Sequence, residues 1–277
     1  MDFRHNPLAL QFLGFINTQS LFYSRGILNY PVFDTRVVEL SEILELPLEL
    51  PDHLILGKRV EYFFASYIQH FSSETILFQN LVISKHRITI GELDYIFQDQ
   101  RTRQVSHIEL IFKYYLYDPN FEKEPERWIG PNRKDTLVKK LEKLRRQQFP
   151  LLFREETRKS LEPVTGPVDN IQQQVCFKAS LFVPLDSPNQ ELPLINNAGI
   201  IGYWIKKERF SEEAYGTHQF YSPKKANWPI DPKYCCTWYS YQEIFKMICP
   251  MLSQQISPLL WMKKDNGSTE RFFVVWW

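Results

Sequence analysis

From Val60 the apolar side chains Val60, Phe63, Phe64, Tyr67, Ile68 and Phe71 recur at i, i+3, i+4, i+7, i+8 and i+11, the spacing that gives a helix one apolar face. The pattern predicts an amphipathic helix opening near Gly57, with Glu61 at the edge of the apolar arc close to Ile68. Three strand-like runs follow at 75–83, 86–97 and 104–117, and the polar stretch 98–103 marks the last two as a hairpin. A turn centred between Arg101 and Thr102 sets Asp94 opposite Glu109, where cross-strand Cβ atoms lie about 4.5–5.5 Å apart. In the third run Ile108, Leu110, Phe112 and Tyr114 share one face, leaving His107, Glu109, Ile111, Lys113 and Tyr115 on the other.

The flanking segments read less regularly. Pro47 and Pro51 stop any helix continuing from the first fifty residues, which read as an N-terminal helical layer, 1–56. Trp128-Ile129-Gly130-Pro131-Asn132 is a turn leading into a helix over 135–148, with Leu137, Leu141 and Leu144 as its apolar stripe. Prolines and a glycine between Glu162 and Asp169 mark a boundary. The expected organisation is therefore a core at 57–160 and an aromatic, β-rich region at 170–277 packed on it. In that region 175–183 and 199–205 read as strands and 239–255 as a helix interrupted near Pro250, and Asp265-Asn266-Gly267-Ser268 forms the turn of a final hairpin.

Composition sharpens this. Of 277 residues 44% are hydrophobic and 15% aromatic, enough for a large core and too much for a disordered chain. The charges nearly cancel, 33 basic against 32 acidic, so no global field draws the protein to phosphates. The charge is segregated instead: 133–146 holds Arg133, Lys134, Lys139, Lys140, Lys143, Arg145 and Arg146 against two acids, with Lys139, Lys143 and Arg146 in one helical row. Cys176, Cys235, Cys236 and Cys249 form no Cys-x-x-Cys motif, which fits a reducing compartment better than a zinc site or disulfide framework. With no basic start leading into an apolar run and no apolar stretch near 18 residues, a cytoplasmic protein with no membrane partner is expected.

Taken in order, these elements are a helix with an edge carboxylate (Glu61), a strand ending in acids (Glu92, Asp94), an antiparallel strand with Glu109 and Lys113, and a basic helix. Phosphodiester hydrolysis uses such a set: paired carboxylates hold Mg²⁺ or Mn²⁺, the ion activates water, and lysine meets developing charge. Basic side chains nearby hold the phosphate backbone. No nucleophile elbow, phosphate-binding glycine loop or dinucleotide fingerprint is present.

With Gly57 to Glu61, Gly91-Glu92-Leu93-Asp94 and Ile108-Glu109-Leu110-Ile111-Phe112-Lys113 in this order, the chain resembles the core of the PD-(D/E)XK nuclease superfamily. The resemblance implies an α/β fold with a restriction-endonuclease-like mixed sheet flanked by helices. It also implies a Mg²⁺- or Mn²⁺-dependent phosphodiesterase acting on DNA or RNA, with Asp94, Glu109 and Glu61 on the metal and Lys113 beside the phosphate. Arg133, Lys134, Lys139, Lys143, Arg146 and Gln147 would lie along nucleic acid, Gln147 or Gln148 matching a polar residue that some members place on the helix. Two features depart from the pattern: Glu109 and Lys113 are four residues apart where the superfamily has two, and Leu93 replaces a proline. In a regular strand that spacing separates the two Cα atoms by roughly 13 Å. The alternative is an inactive module of the same fold that binds nucleic acid or a protein. Over nearly its whole length the chain also resembles the bacterial family domain of unknown function 1853. The matching motifs are Arg4-His5, Gly91 to Asp94, His107 to Leu116, Trp128 to Asn132, Gln147-Gln148, Leu181 to Pro184 and Pro223 to Trp228.

Overall fold

The computed structural model describes residues 2–23, 26–187 and 192–277. Its elements are α1 (Pro7–Asn17), α2 (Leu40–Leu44), α3 (Leu56–Phe71), β1 (Glu74–Lys85), β2 (Ile88–Asp99), β3 (Val105–Tyr117), α4 (Glu124–Arg127), β4 (Trp128–Ile129), α5 (Leu137–Lys143), a π-helical turn (Leu144–Gln148), α6 (Phe149–Leu151) and α7 (Glu155–Thr165). Then come β5 (Gln172–Pro184), β6 (Ile200–Lys206), α8 (Glu212–Tyr215), β7 (Gln219–Tyr221), α9 (Tyr241–Ser253), β8 (Leu259–Lys263) and β9 (Thr269–Val275). The strands form one mixed sheet in the order β1-β2-β3-β5-β6-β9-β8-β7, with β4 paired to the end of β3. Neighbours are parallel from β3 through β5 and β6 to β9 and antiparallel elsewhere along that order. The β-rich second half therefore extends the sheet of the first half edge to edge. No helix is long and apolar enough to cross a membrane among the described residues.

Alternation along the strands explains the layers. Tyr95, Phe97, Ile108, Tyr114, Phe182 and Phe273 point to the face covered by α1 and α3, where they meet Phe12, Phe15, Phe63 and Phe64. Ile111, Tyr115, Phe177 and Leu181 point to the other face, where Leu137, Leu141, Leu144 and Phe149 cover them. Further along the sheet Leu260, Phe272 and Val274 carry α8 and α9 through Tyr215, Ile244 and Ile248. The aromatic excess is thus absorbed mostly by packing, with Trp128, Trp261, Tyr95 and Tyr115 among the largest fully buried side chains.

The amphipathic helix, the three-strand run and the Asn266-Gly267 hairpin lie where the pattern places them, Gly267 taking the positive φ of 79° that its turn requires. Three elements differ. The helix expected to be interrupted near Pro250 is α9, which runs unbroken through that proline. The start of the stretch between Glu162 and Asp169, read as a boundary, belongs to α7, which spans Glu155–Thr165, runs through Pro163 and ends at Gly166 with φ 73°. The helix expected over 135–148 is α5 followed by the π-turn and α6. Pro150 has no N–H for a helical bond and would crowd the carbonyl one turn back. The wider turn before it, closed by the Phe149 N–H on the Leu144 carbonyl, accommodates the ring.

Candidate functional site

The β2–β3 ladder is short. It pairs Gln98 with Val105, Phe97 with Ser106, Ile96 with His107 and Tyr95 with Ile108, and stops there. Beyond it, the first half of β2 pairs with β1 alone, while β3 continues beside β5. Asp94 and Glu109 occupy the next step of the register, at the point where the strands part. The Asp94 carboxylate accepts the Leu110 N–H at 2.9 Å, standing in for the main-chain acceptor that the departing strand removes.

Glu109 is fully buried, and its partners can be oriented from their hydrogen bonds. Lys140 Nζ donates to Gln148 Oε1 at 2.9 Å, so the Gln148 amide nitrogen is the end that donates to Glu109 Oε2. Gln173 Nε2 donates to the Phe149 carbonyl at 2.8 Å and lies 3.1 Å from His107 Nδ1. His107 Nδ1 is therefore the acceptor, and in the neutral ring the proton sits on Nε2, which donates to Glu109 Oε1 at 3.0 Å. Burial holds the His107 pKa down at about 4, so the ring is neutral at pH 7.

Both carboxyls titrate high. Burial, then the charge of Glu109, pushes Asp94 up to about 7 against the pull of the Leu110 N–H and Lys140. Burial also raises Glu109, opposed by the charges of Lys140 and Lys143 and by hydrogen bonding from Asp94 and Gln148. Lys140 is the cation whose charge lowers both acids, and its own pKa falls because burial outweighs the attraction of Glu109 and Asp94.

The other expected site residues lie apart from this pair. Glu61 binds Lys58 Nζ at 2.8 Å and Asn80 Nδ2 at 2.9 Å instead of joining Asp94. Lys58 itself feels the charges of Glu61, Glu92 and Asp94, so it bridges the helix acid to the strand acids electrostatically. Lys113 pairs with Asp135 instead of reaching back four residues to Glu109. Arg133 bonds the buried Asp118 at 2.9 Å and lies over the Trp277 ring. Lys134, Lys139, Lys143 and Arg146 are exposed, Arg146 paired with Glu142 at 3.2 Å. Gln147 is exposed while Gln148 faces the site. A regular helix at 100° per residue would set Gln147, seven residues on, above Lys140. The π-turn adds one residue, which rotates Gln148 onto that side and Phe149 into the core.

The site also contains Lys140, which the sequence places only in the basic run, and His107, which it places on the Glu109 face without a role. Lys140 carried a usable signal, because it stands three residues after Leu137 and four before Leu144 and so sits beside the apolar stripe. His107 shares the Glu109 face two residues away, yet nothing in the local pattern says that a strand end will be sealed by Phe149.

A family model for a domain of unknown function, DUF1853, matches residues 34–275. The chain belongs to the DUF1853 family. No curated protein and no solved structure matches it. In this DUF1853 chain no three His, Cys, Asp or Glu side chains among the described residues are grouped to hold a metal ion. The donor set at the strand fork is two carboxylates with amide and lysine support. That suits Mg²⁺ or Mn²⁺, which keep several waters and take one or two protein carboxylates together with substrate oxygens. It does not suit a closed zinc site.

Proposed function

We propose that this chain is a divalent-metal-dependent phosphodiesterase of nuclease type, built on a PD-(D/E)XK-like core and acting on DNA or RNA. The observation that carries the proposal is the buried Asp94–Glu109 pair at the β2–β3 fork, where desolvation raises both carboxyls, the charge of Glu109 raises Asp94 further, and Lys140 is the cation that offsets both. Two acids placed together at such cost are explained by a cation that the site takes up with its substrate. Bound there, Mg²⁺ would polarise the phosphoryl oxygen and lower the pKa of a water. His107 and Gln148 hold the Glu109 oxygens in place, and the Leu110 N–H fixes Asp94. Lys113, Lys134 and Lys225 line a cleft of about 330 Å³ that also contains Trp228 and Gly57. Those charges would follow a phosphate backbone, with Lys139, Lys143 and Arg146 continuing the track.

A second reading rests on a specific observation: both oxygens of Glu109 already have donors, and Lys113 is engaged by Asp135. It makes the chain a non-catalytic binder of nucleic acid on the same core. Incubating the purified protein with Mg²⁺ or Mn²⁺ and DNA or RNA, beside Asp94→Ala and Lys113→Ala, separates the two. Cation-dependent cleavage that Asp94→Ala removes supports the enzyme, and cleavage shared equally by all three proteins refutes it.

Both readings use the basic helix. Reversing Lys139, Lys143 and Arg146 to Glu is expected to weaken binding to DNA or RNA. It should also flatten the dependence of log K on log salt by at least about 2–3, since each phosphate contact contributes roughly 0.7–0.9. An unchanged slope would place the contact surface elsewhere.

A further inference from the structure

We propose that a cavity beneath α1, separate from the carboxylate site, binds a small organic oxyanion through the guanidinium of Arg271. The cavity has a volume of about 310 Å³ and lies where α1, β5, β6 and the segment around Pro229 meet. Leu10, Leu13 and Ile201 provide apolar wall, while Ser180 and Arg271 bring polar groups to the same space. Its roof is closely fitted: a Cβ on Gly14 would stand 2.0 Å from the Pro229 carbonyl oxygen, so only glycine lets the helix settle on that segment.

Arg271 is the unexplained group. It sits on β9, opposite Trp261. Its guanidinium forms no salt bridge and no side-chain hydrogen bond among the described residues, although it carries five N–H donors. Desolvation lowers its pKa, opposed by the charges of Tyr114 and Asp231. The other charged groups here are already employed. Lys178, buried on β5, donates to the Ile16 and Thr18 carbonyls at 2.9 and 2.6 Å and so closes the C-terminal end of α1. Asp231 pairs with Lys233 at 3.3 Å. Tyr114 lies close enough to Arg271 to feel its charge.

Arg271 is half-buried and lines the cavity with its donor fork unengaged by protein among the described residues, and a planar fork of donors is complementary to a carboxylate or phosphate. The volume is at the lower end of small-ligand pockets. The expected ligand therefore has one oxyanionic head on Arg271 and a compact apolar body against Leu10, Leu13 and Ile201.

Phenyl phosphate and benzoate are the probes, with neutral benzyl alcohol as the control, titrated calorimetrically into the full chain. One of the two anions is expected to bind at millimolar concentration or below, and the stronger of them identifies the head group; benzyl alcohol should not bind. Arg271→Gln should weaken binding at least about thirtyfold, with Arg271→Lys in between. In the wild type the Arg271 Nε resonance should shift during the titration, a reading that holds even where a variant folds poorly. Failure of both anions to bind, equal binding by a folded Arg271→Gln variant, or an unmoved Arg271 resonance would overturn the proposal.

Discussion

Replacing Asp94 by Asn is expected to abolish cation-dependent cleavage of nucleic acid and, in the same protein, to raise the melting temperature measured without metal. The two effects have one cause. Asn keeps an oxygen for the Leu110 N–H, which Asp94 now binds at 2.9 Å. It removes a carboxyl that burial and Glu109 drive up to about 7, and its amide can donate to Glu109. Relief of that repulsion is worth about 1–2 kcal/mol, a rise of a few degrees for a chain of this size. The cost falls on function, because a bound cation supplies several kcal/mol of transition-state stabilisation. At 1.36 kcal/mol per factor of ten, losing it lowers the rate by roughly three orders of magnitude or more. Cleavage assays and thermal melts on the same preparation check both halves. A variant that loses activity only because it melts earlier would contradict the account.

The second large effect is a fall in stability as pH rises from about 6.5 to 8 in the absence of metal. Asp94 has a folded-state pKa raised from 3.8 to about 7, and Glu109 moves the same way. The folded state therefore holds protons that the unfolded state has released, so these groups stabilise at low pH and that contribution is lost through neutrality. His107 has the opposite sign, being lowered from 6.5 to about 4. Its contribution grows with pH up to about 6.5 and partly masks the carboxyls below that point. Above it only the carboxyls remain, and each changes stability by up to about 1.4 kcal/mol per pH unit while it titrates. Urea denaturation at pH 6, 7 and 8 should show the decline, and Asp94→Asn should reduce it. Saturating Mg²⁺ should reduce it too, by keeping the carboxylates ionised in the folded state. A profile that is flat, or identical in the variant, would contradict the assignment.

Why some of this was legible in the sequence and some was not follows from the range of the forces. The α3 helix and the β1–β3 run are local and periodic, and the opposition of Asp94 to Glu109 needs only the hairpin register, so all of them can be read from spacing. The early end of the β2–β3 ladder is not local. There β2 turns away with β1, while β3 stays beside β5, more than sixty residues on, along its whole length. The replacement of Gln147 by Gln148 turns on one π-turn ahead of Pro150, a backbone choice that apolar periodicity does not record. Glu61 and Lys113 illustrate a further limit. Each lies on the element that was expected, yet Asn80 and Asp135, chosen by tertiary packing, take up their charged ends.

The account rests most heavily on the Asp94–Glu109 pair as a seat for a divalent cation, and direct Mn²⁺ titration of the metal-free protein tests that claim. Wild type should bind Mn²⁺ at this site with release of protons near pH 7, because both carboxyls must ionise to receive it. Asp94→Asn and Glu109→Gln, still folded, should lose that binding together with the proton release. Absence of Mn²⁺ binding to the wild type, or binding that survives in both variants, would contradict the account.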